Sequence, residues 1–228
     1  MAPARPGRYA AVLFAHWYGD PVQCSNRFEF LSEAVHLARR GVVSLLVDTL
    51  WSDPKWFDTR NPSEDFAHSV EQVKDLRRAL DVLASLDDVD ASRIAFVGHD
   101  FGAMYGAVVA AVDKRPKALV FVAGTATFGE WFLLGRTLDA AAQQKVRDEL
   151  APLDPVRHLA AVAPAPVLLQ FASKDRFVPR EAADALVAAA GGAKTAKFYD
   201  CGHEMNQESA EDRDSWLLQV LGEGVKQR

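Results

Sequence analysis

The middle of the 228-residue chain carries the stretch that decides the fold, Ile94-Ala95-Phe96-Val97-Gly98-His99-Asp100-Phe101-Gly102-Ala103. Its first four residues are apolar in succession, which predicts a strand buried on both faces of a sheet. The apolar stretch from Met104 to Val112 predicts a helix directly after it. Gly98 and Gly102 lack side chains, as a strand and a helix require when they approach closely around one strained residue. The stretch therefore predicts a sharp strand–turn–helix unit with Asp100 at its turn.

Short apolar runs alternate with helical patterns along the rest of the chain. The other predicted strands are Tyr9–Ala15, Val42–Val47, Ala118–Ala123, Val167–Ala172 and Ala196–Tyr199. Helices are predicted from Phe28 to Arg40, from the N-cap Ser63 to Leu83, and around Trp216. This alternation predicts an α/β fold, a doubly wound, mostly parallel sheet of about six strands with helices on both faces. No repeat or linker interrupts the pattern, so residues 1–228 are predicted to form a single domain.

Composition and charge exclude several classes of protein. Hydrophobic residues make up 49% and charged residues 25% of the chain, which is typical of a globular domain and not of a disordered chain or a fibre. The net charge is −5 without basic runs, so we expect no nucleic-acid partner. No apolar stretch approaches the ~18 residues of a membrane span, and the run from Ala10 to Ala15 is too short for a signal peptide. We therefore expect a cytoplasmic protein, with no membrane partner and with Cys24 and Cys201 as free thiols.

Polar residues follow three of the predicted strands. Asp100 comes after the strand at 94–97, Asp175 follows Val167–Ala172, and His203 follows Ala196–Tyr199. The carboxyl ends of parallel strands meet at one edge of a sheet, where such folds bind their ligands. Nucleophile, acid and histidine, each on a loop after its own strand, is the chain order of the α/β-hydrolase triad.

On these motifs the chain resembles the α/β-hydrolase superfamily over nearly its whole length. The dienelactone-hydrolase-like branch is the most similar in size, in its missing lid domain, and in its Asp-x-x-Val-Pro and Gly-His endings, here at Asp175–Pro179 and Gly202-His203. The resemblance implies a catalytic triad of Asp100, His203 and Asp175. We expect His203 to lie within hydrogen-bond reach of both carboxylates, because general-base work requires the first contact and orientation the second.

The resemblance also implies an oxyanion hole. Its donors are the backbone N–H of the residue after the nucleophile, Phe101, and an N–H from the loop after the first strand. That loop, His16-Trp17-Tyr18-Gly19, is similar to the superfamily's His-Gly-x loop with Trp17 in the glycine's place, so Tyr18 is the implied second donor. The alternative is that His16 and Trp17 only pack at the end of the strand.

Asp100 departs from the Ser or Cys that most members of this branch carry. A carboxylate that attacks an ester carbonyl gives a poor mixed anhydride, whereas displacement at a saturated carbon gives an alkyl-enzyme ester that His203 can hydrolyse with water. Asp at this position is similar to dehalogenases and epoxide hydrolases, although the chain has Phe101 where haloalkane dehalogenases have Trp, and no lid tyrosines. Two alternatives stay open: an ester or lactone hydrolase in which Asp100 is a base, and a non-catalytic binding protein on the same fold.

Aromatic loops at the same edge predict an apolar cleft for a small, largely apolar substrate. The candidate substrate-binding residues are Trp17, Trp51, Trp56, Trp131 and Tyr105. The alternatives are a self-packed cluster or a dimer contact, so the expected state is monomer or homodimer. No His, Cys, Asp or Glu cluster has metal-ligand spacing and no G-x-G-x-x-G follows a strand, so we expect neither a metal nor a cofactor.

Overall fold

The structure, a computed structural model, describes residues 1–3, 7–19 and 25–222. Six parallel strands form one sheet in the order β2-β1-β3-β4-β5-β6. The strands are β1 (Tyr9–Ala15), β2 (Val42–Val47), β3 (Val89–His99), β4 (Pro116–Val122), β5 (Val167–Ala172) and β6 (Lys194–Tyr199). The predicted α/β fold with a doubly wound sheet of about six strands is therefore confirmed.

Nine α-helices accompany the sheet in the described part of the chain. They are α1 (Leu31–Arg39), α2 (Trp56–Thr59), α3 (Asp65–Ser85), α4 (Phe101–Val112), α5 (Phe128–Phe132), α6 (Ala140–Leu150), α7 (Pro155–His158), α8 (Arg180–Ala189) and α9 (Gln207–Leu221). Helices α1 and α9 cover one face, where Leu37 and Leu217 pack with Val97 of β3. Helices α3, α4 and α8 cover the other face, where Leu76 packs with Phe96. Successive strand residues therefore enter two different cores, which is why the strands are continuous apolar runs.

Three predicted boundaries are wrong. Strand β3 begins at Val89, earlier than the apolar run, because its first residues pair only at the sheet's rim, where polar side chains are tolerated. The first helix begins at Leu31 and not at Phe28, since residues 27–30 form a turn. Ser63 is not the N-cap of α3. Its N–H is instead bound by Asn61 in a 3₁₀ turn that leads into the helix at Asp65. None of the helices in the described residues is long and apolar enough to cross a membrane.

The turn between β3 and α4 has a strained backbone and no spare space. Asp100 has φ 54° and ψ −116°, a conformation that side-chain-bearing residues rarely adopt. A Cβ at Gly98 would lie 2.2 Å from the Gly102 carbonyl oxygen, and a Cβ at Gly102 would lie 2.1 Å from the Ala15 carbonyl oxygen. The two glycines thus let α4 start directly against the end of β3, as the sequence predicted, and also against the end of β1.

We expect Gly102→Ala to lower the free energy of unfolding by about 3 kcal/mol, because the new methyl group meets backbone atoms that cannot move aside. Gly129→Ala in α5 is the matched control: its Cβ would lie 3.0 Å from Arg147 Cγ and 3.1 Å from Arg147 Cα, contacts that a shift of a few tenths of an ångström relieves, so the cost should stay below about 1 kcal/mol. Urea denaturation measures both variants. Equal stability of the two would contradict the close approach at the turn.

Candidate active site

The loops after β5 and β6 bring Asp175 and His203 together. His203 Nδ1 lies 2.8 Å from Asp175 Oδ2, and both side chains are almost fully buried. The other oxygen, Oδ1, accepts hydrogen bonds from the N–H groups of Phe177 and Val178, at 2.8 and 3.0 Å. Burial works against the charge of Asp175, but the contacts with His203 and these two N–H groups outweigh it, so the pKa of Asp175 lies below its ordinary value. The carboxylate therefore fixes which nitrogen of His203 carries the proton.

The two oxygens of Asp100 have different surroundings. Oδ2 accepts a hydrogen bond from the Tyr18 N–H at 3.0 Å, and the Phe101 N–H also favours the ionised form. Oδ1 is buried without a hydrogen-bond partner among the described residues and lies 4.0 Å from His203 Nε2, which has no partner among them either. Burial raises the pKa of Asp100 to about 7, although the charge of His203 and the two N–H groups lower it.

The prediction that His203 hydrogen-bonds Asp100 is wrong for this structure, because 4.0 Å exceeds hydrogen-bond length. The carboxylate is turned toward the Tyr18 N–H, which holds one oxygen and leaves the other short of His203. Two atoms at this separation can both contact one water molecule at about 2.8 Å. The gap is thus of the size at which His203 could activate a water directed at Asp100.

His16 orients the peptide that donates the Tyr18 N–H. Its Nδ1 donates to the Trp17 carbonyl at 2.7 Å, so its Nε2 accepts from the hydroxyl groups of Ser52 and Thr49, at 2.8 and 2.9 Å. Burial lowers the pKa of His16, which favours this neutral form. With the carbonyl of the peptide held on one side, its N–H points to the opposite side, toward Asp100. The alternative that this loop only packs is not what the structure shows.

A cleft of about 780 Å³ opens beside His203. It is lined by Trp17, Tyr18, Gly19, Pro54, Phe57, Trp131, Leu134, Lys174, Arg176, Phe177, Gly202, His203 and Glu204. Two of the five candidate substrate-binding residues, Trp17 and Trp131, are among them, and the indole N–H of each is buried with no partner within residues 1–3, 7–19 and 25–222. The sequence analysis missed Phe177, although it stands only two residues after Asp175 in a loop already placed at this edge.

The structure does not bring Trp51, Trp56 and Tyr105 to this cleft. Trp51 and Tyr105 are fully buried and stacked on each other beneath the turn, where their polar atoms bond the His16 carbonyl and Ser69. Trp56 packs edge-on against Phe101 without lining the cleft. Their assignment to the cleft was therefore wrong. Aromatic residues at the end of a strand indicate that a site is near. They do not show which of these residues line the cleft and which are buried behind it.

Two further expectations concern cysteines and metals. Cys201 is a free thiol, as predicted, and Cys24 lies outside the described residues. No group of three or more His, Cys, Asp and Glu side chains within residues 1–3, 7–19 and 25–222 is arranged to hold a metal ion.

Comparison with known proteins decides the family. The family model described as "Alpha/beta hydrolase family" matches residues 12–213. The chain belongs to the alpha/beta hydrolase family. This α/β hydrolase shares its fold with the 2,6-dihydroxy-pseudo-oxynicotine hydrolase, at a TM-score of 0.74 and 19% identity over 97% of this chain and 63% of that one. The prediction of an α/β-hydrolase-type enzyme is confirmed at this level.

Two further solved structures show the same fold at low identity. An acetyl xylan esterase from Paenibacillus sp. R4 matches with a TM-score of 0.73 and 19% identity, over 96% of this chain and 77% of the esterase. A Klebsiella pneumoniae protein assigned to the dienelactone hydrolases matches with a TM-score of 0.65 and 17% identity, over 96% and 90% of the two chains. At such identities the likeness extends to the fold of this α/β hydrolase and not to its substrate.

One curated relative of this α/β hydrolase has a higher identity over a shorter length. The polyketide transferase ATR5 of Stachybotrys chlorohalonatus is 31% identical over 104 residues, which are 46% of this chain and 34% of the relative. The chain thus matches only about a third of that relative, and 63% of the oxynicotine hydrolase.

The raised pKa of Asp100 gives a stability prediction. The folded protein keeps a proton on Asp100 that the unfolded chain releases, so this group's contribution is present below about pH 4 and is lost as the pH rises to about 7. Asp100→Asn stays neutral throughout, so it should gain stability over the parent as the pH rises through this window, by up to about 4 kcal/mol.

Denaturation at about pH 4 and about pH 8 measures this gain. Asp214→Asn in α9 is the matched comparison, because burial also raises the pKa of Asp214 to about 7 but on the opposite face of the sheet. Parallel pH profiles for the parent and Asp100→Asn would contradict the buried, proton-binding state of Asp100.

Proposed function

We propose that this α/β hydrolase cleaves a small, largely apolar substrate at a saturated carbon, without a cofactor, with Asp100 as nucleophile, His203 as general base and Asp175 as the partner of His203. The proposal rests on one observation, that the two oxygens of Asp100 make different contacts. Oδ2 accepts the Tyr18 N–H, the Phe101 N–H also bonds the carboxylate, and Oδ1 has no hydrogen-bond partner among the described residues and lies 4.0 Å from His203 Nε2.

This arrangement suits a two-step displacement. In the first step Asp100 Oδ1 bonds to the substrate carbon, and the leaving group departs with the electron pair of the broken bond. Asp100 Oδ2 then becomes the carbonyl oxygen of the new ester, and it already accepts the Tyr18 N–H. The Phe101 N–H, which also bonds the carboxylate, is the second donor that an oxyanion hole requires. The donors thus stabilise charge in the second step without any movement of the backbone.

The second step hydrolyses the ester. A water in the gap beside His203 Nε2 gives its proton to that nitrogen and attacks the ester carbonyl carbon of Asp100. Asp175 stabilises the resulting imidazolium through the bond to Nδ1. The C–O bond of the tetrahedral intermediate breaks toward the product alcohol, which takes the proton back from His203. The oxygen of the water remains in the Asp100 carboxyl group, which loses the second proton of the water to solvent and is again a carboxylate. The net products are the alcohol, the leaving anion and one proton.

The cleft supports an apolar substrate with one polar group to be displaced. Its walls are aromatic at Phe57, Trp131 and Phe177. The unpartnered indole N–H groups of Trp17 and Trp131 are donors that a departing anion can use, since buried donors in proteins are rarely left without a partner. Phe101, which offers no side-chain donor, need not fill that role.

One observation favours a second candidate, in which Asp100 is a general base in the hydrolysis of an ester or lactone. A pKa of about 7 is near the optimum for a general base at neutral pH. Against it, the carboxylate of Asp100 already occupies the Tyr18 and Phe101 N–H groups that the carbonyl oxygen of an ester would need. The displacement mechanism keeps these hydrogen bonds to Asp100, whereas the ester mechanism has to break them.

The test is intact-mass spectrometry of His203→Gln after incubation, separately, with 1-bromobutane, 1,2-epoxybutane and p-nitrophenyl acetate. We expect an alkyl adduct on Asp100 from the bromide or the epoxide, because without the base the ester forms but is not hydrolysed. Asp100→Asn is the control and should give no adduct. For the parent, turnover in ¹⁸O-water should place ¹⁸O in Asp100. Fast ester hydrolysis by the parent without any adduct would replace the first candidate by the second, and no reaction at all would favour a binding protein.

Asp100→Ser is expected to change the chemistry. The substitution frees the Tyr18 and Phe101 N–H groups to bind a substrate oxyanion and leaves the His203–Asp175 pair in place. The variant should therefore show burst hydrolysis of p-nitrophenyl acetate and react with a fluorophosphonate. Asp100→Ala, which also frees the hole but has no hydroxyl, is the matched control. A folded serine variant that is inert to both probes would show that the two N–H groups do not form an oxyanion hole.

A further inference from the structure

A buried acid–histidine pair lies beside the triad and takes no part in the mechanism above. Glu29 Oε1 lies 2.6 Å from His99 Nδ1, and the two side chains are 15% and 3% exposed. Glu29 Oε2 accepts the Trp17 N–H at 2.8 Å. His99 Nε2 lies 3.0 Å from the backbone carbonyl oxygen of His203. The pair therefore contacts the loop after β1 at one end and the loop after β6 at the other.

The hydrogen bonds of His99 fix its role. A carbonyl oxygen only accepts, so His99 Nε2 must be the donor to His203. The contact between Nδ1 and Glu29 then needs one more proton, held as imidazolium with carboxylate or as imidazole with carboxylic acid. The ring also stacks on Trp17, with centroids 5.3 Å apart and planes at 5°. His99 is thus held by Glu29, by the His203 carbonyl and by the Trp17 ring, and it connects the loops after β1 and β6 rigidly.

The His203 ring has one hydrogen bond and four aromatic neighbours in the described part of the chain. Asp175 holds Nδ1, and Nε2 has no hydrogen-bond partner there. The aromatic neighbours lie 5.2–5.9 Å away between ring centroids and are Trp17, His99, Trp131 and Phe177. These ring contacts do not fix the height of the ring along the loop as a hydrogen bond would. The distance from Nε2 to Asp100 therefore depends on where the backbone of the loop lies, and His99 bonds the carbonyl of His203 itself. On the other side of the gap, Glu29 bonds the residue before Tyr18, whose N–H holds Asp100.

We propose that Glu29 and His99 are positioning residues, which set the separation between His203 Nε2 and Asp100. They do so by connecting the loop after β6, which carries His203, to the loop after β1, which carries the Tyr18 N–H. The kinetic part of this inference rests on the proposed function. A misplacement of the base by about 1 Å can cost on the order of a hundredfold in rate. Loss of the hydrogen bond from His99 to the His203 carbonyl should therefore slow the water attack that His203 assists. Alkylation of Asp100 needs no base and should continue.

The experiment uses a matched pair at position 99. His99→Phe keeps an aromatic ring for stacking on Trp17 but removes the donor to His203. His99→Gln loses the ring and supplies an amide N–H where Nε2 was. Each is incubated with 1-bromobutane and followed by intact mass, with His203→Gln as the reference for full accumulation of the ester.

We expect His99→Phe to accumulate the Asp100 ester, with turnover reduced by about tenfold to a hundredfold and little change in KM. His99→Gln should restore turnover to within a few-fold of the parent. Glu33→Gln is the control for the loss of a buried ion pair as such. Glu33 is 12% exposed, pairs with the buried Arg213 and does not touch the triad. It should lose stability without accumulating ester. Parent-like turnover of His99→Phe, or equal losses in His99→Phe and His99→Gln, would overturn the positioning role.

A second readout does not depend on activity. In protein with ¹⁵N-labelled histidine, the Nδ1 proton between His203 and Asp175 gives a downfield resonance whose exchange with water reports the order of the His203 loop. It should exchange faster in His99→Phe than in His99→Gln or Glu33→Gln. If His203→Gln forms no ester, the proposed function fails while this comparison still stands. If the ester forms but exchange and turnover are the same in both His99 variants, the positioning role alone fails.

Discussion

The structure depends on one close approach, that of α4 to the ends of β3 and β1 around Asp100. A backbone at φ 54° costs on the order of 1–3 kcal/mol for a residue with a side chain, and it persists only where the surroundings allow no alternative. Here the absent side chains of Gly98 and Gly102 provide that constraint. The same approach brings the first N–H of α4, that of Phe101, to the carboxylate of Asp100, which also accepts the N–H of Tyr18. The strained turn and the pair of donors therefore have a single cause.

Given that pair of donors, the residue at the turn determines the chemistry. A serine would leave the two N–H groups free for the oxygen of a substrate. Asp100 fills them with its own carboxylate, and these contacts partly offset the cost of burying it. The pKa of about 7 is the balance of burial, which raises it, against the charge of His203 and these hydrogen bonds, which lower it. The carboxylate of Asp100 thus already makes the contacts that the ester of the proposed displacement would use.

The sequence was sufficient for the fold and for the three loops of the site, because both follow from local signals. Continuous apolar runs indicated buried parallel strands, and the chain order of Asp100, Asp175 and His203 placed all three at one edge. The distance from His203 to Asp100 could not be predicted, since it depends on which N–H each carboxylate oxygen meets. Nor could the sequence separate Trp131, which lines the cleft, from Trp51, which packs behind it. Both follow a strand at the same edge, and only the three-dimensional packing distinguishes them.

The role of His99 was beyond the sequence for a similar reason. Read alone, it is a histidine inside the turn with no partner pattern, and Glu29 lies seventy residues away in the chain. The fold joins them because β1 and β3 are neighbours, so that the loops at their ends share one surface. The pair carries a single proton between them and is neutral as a unit, which lets it lie beside Asp100 and Asp175 without adding net charge. The charge of Glu29 raises the pKa of Asp100, so its pairing with His99 limits how far it opposes the ionisation that the proposed attack by Asp100 needs.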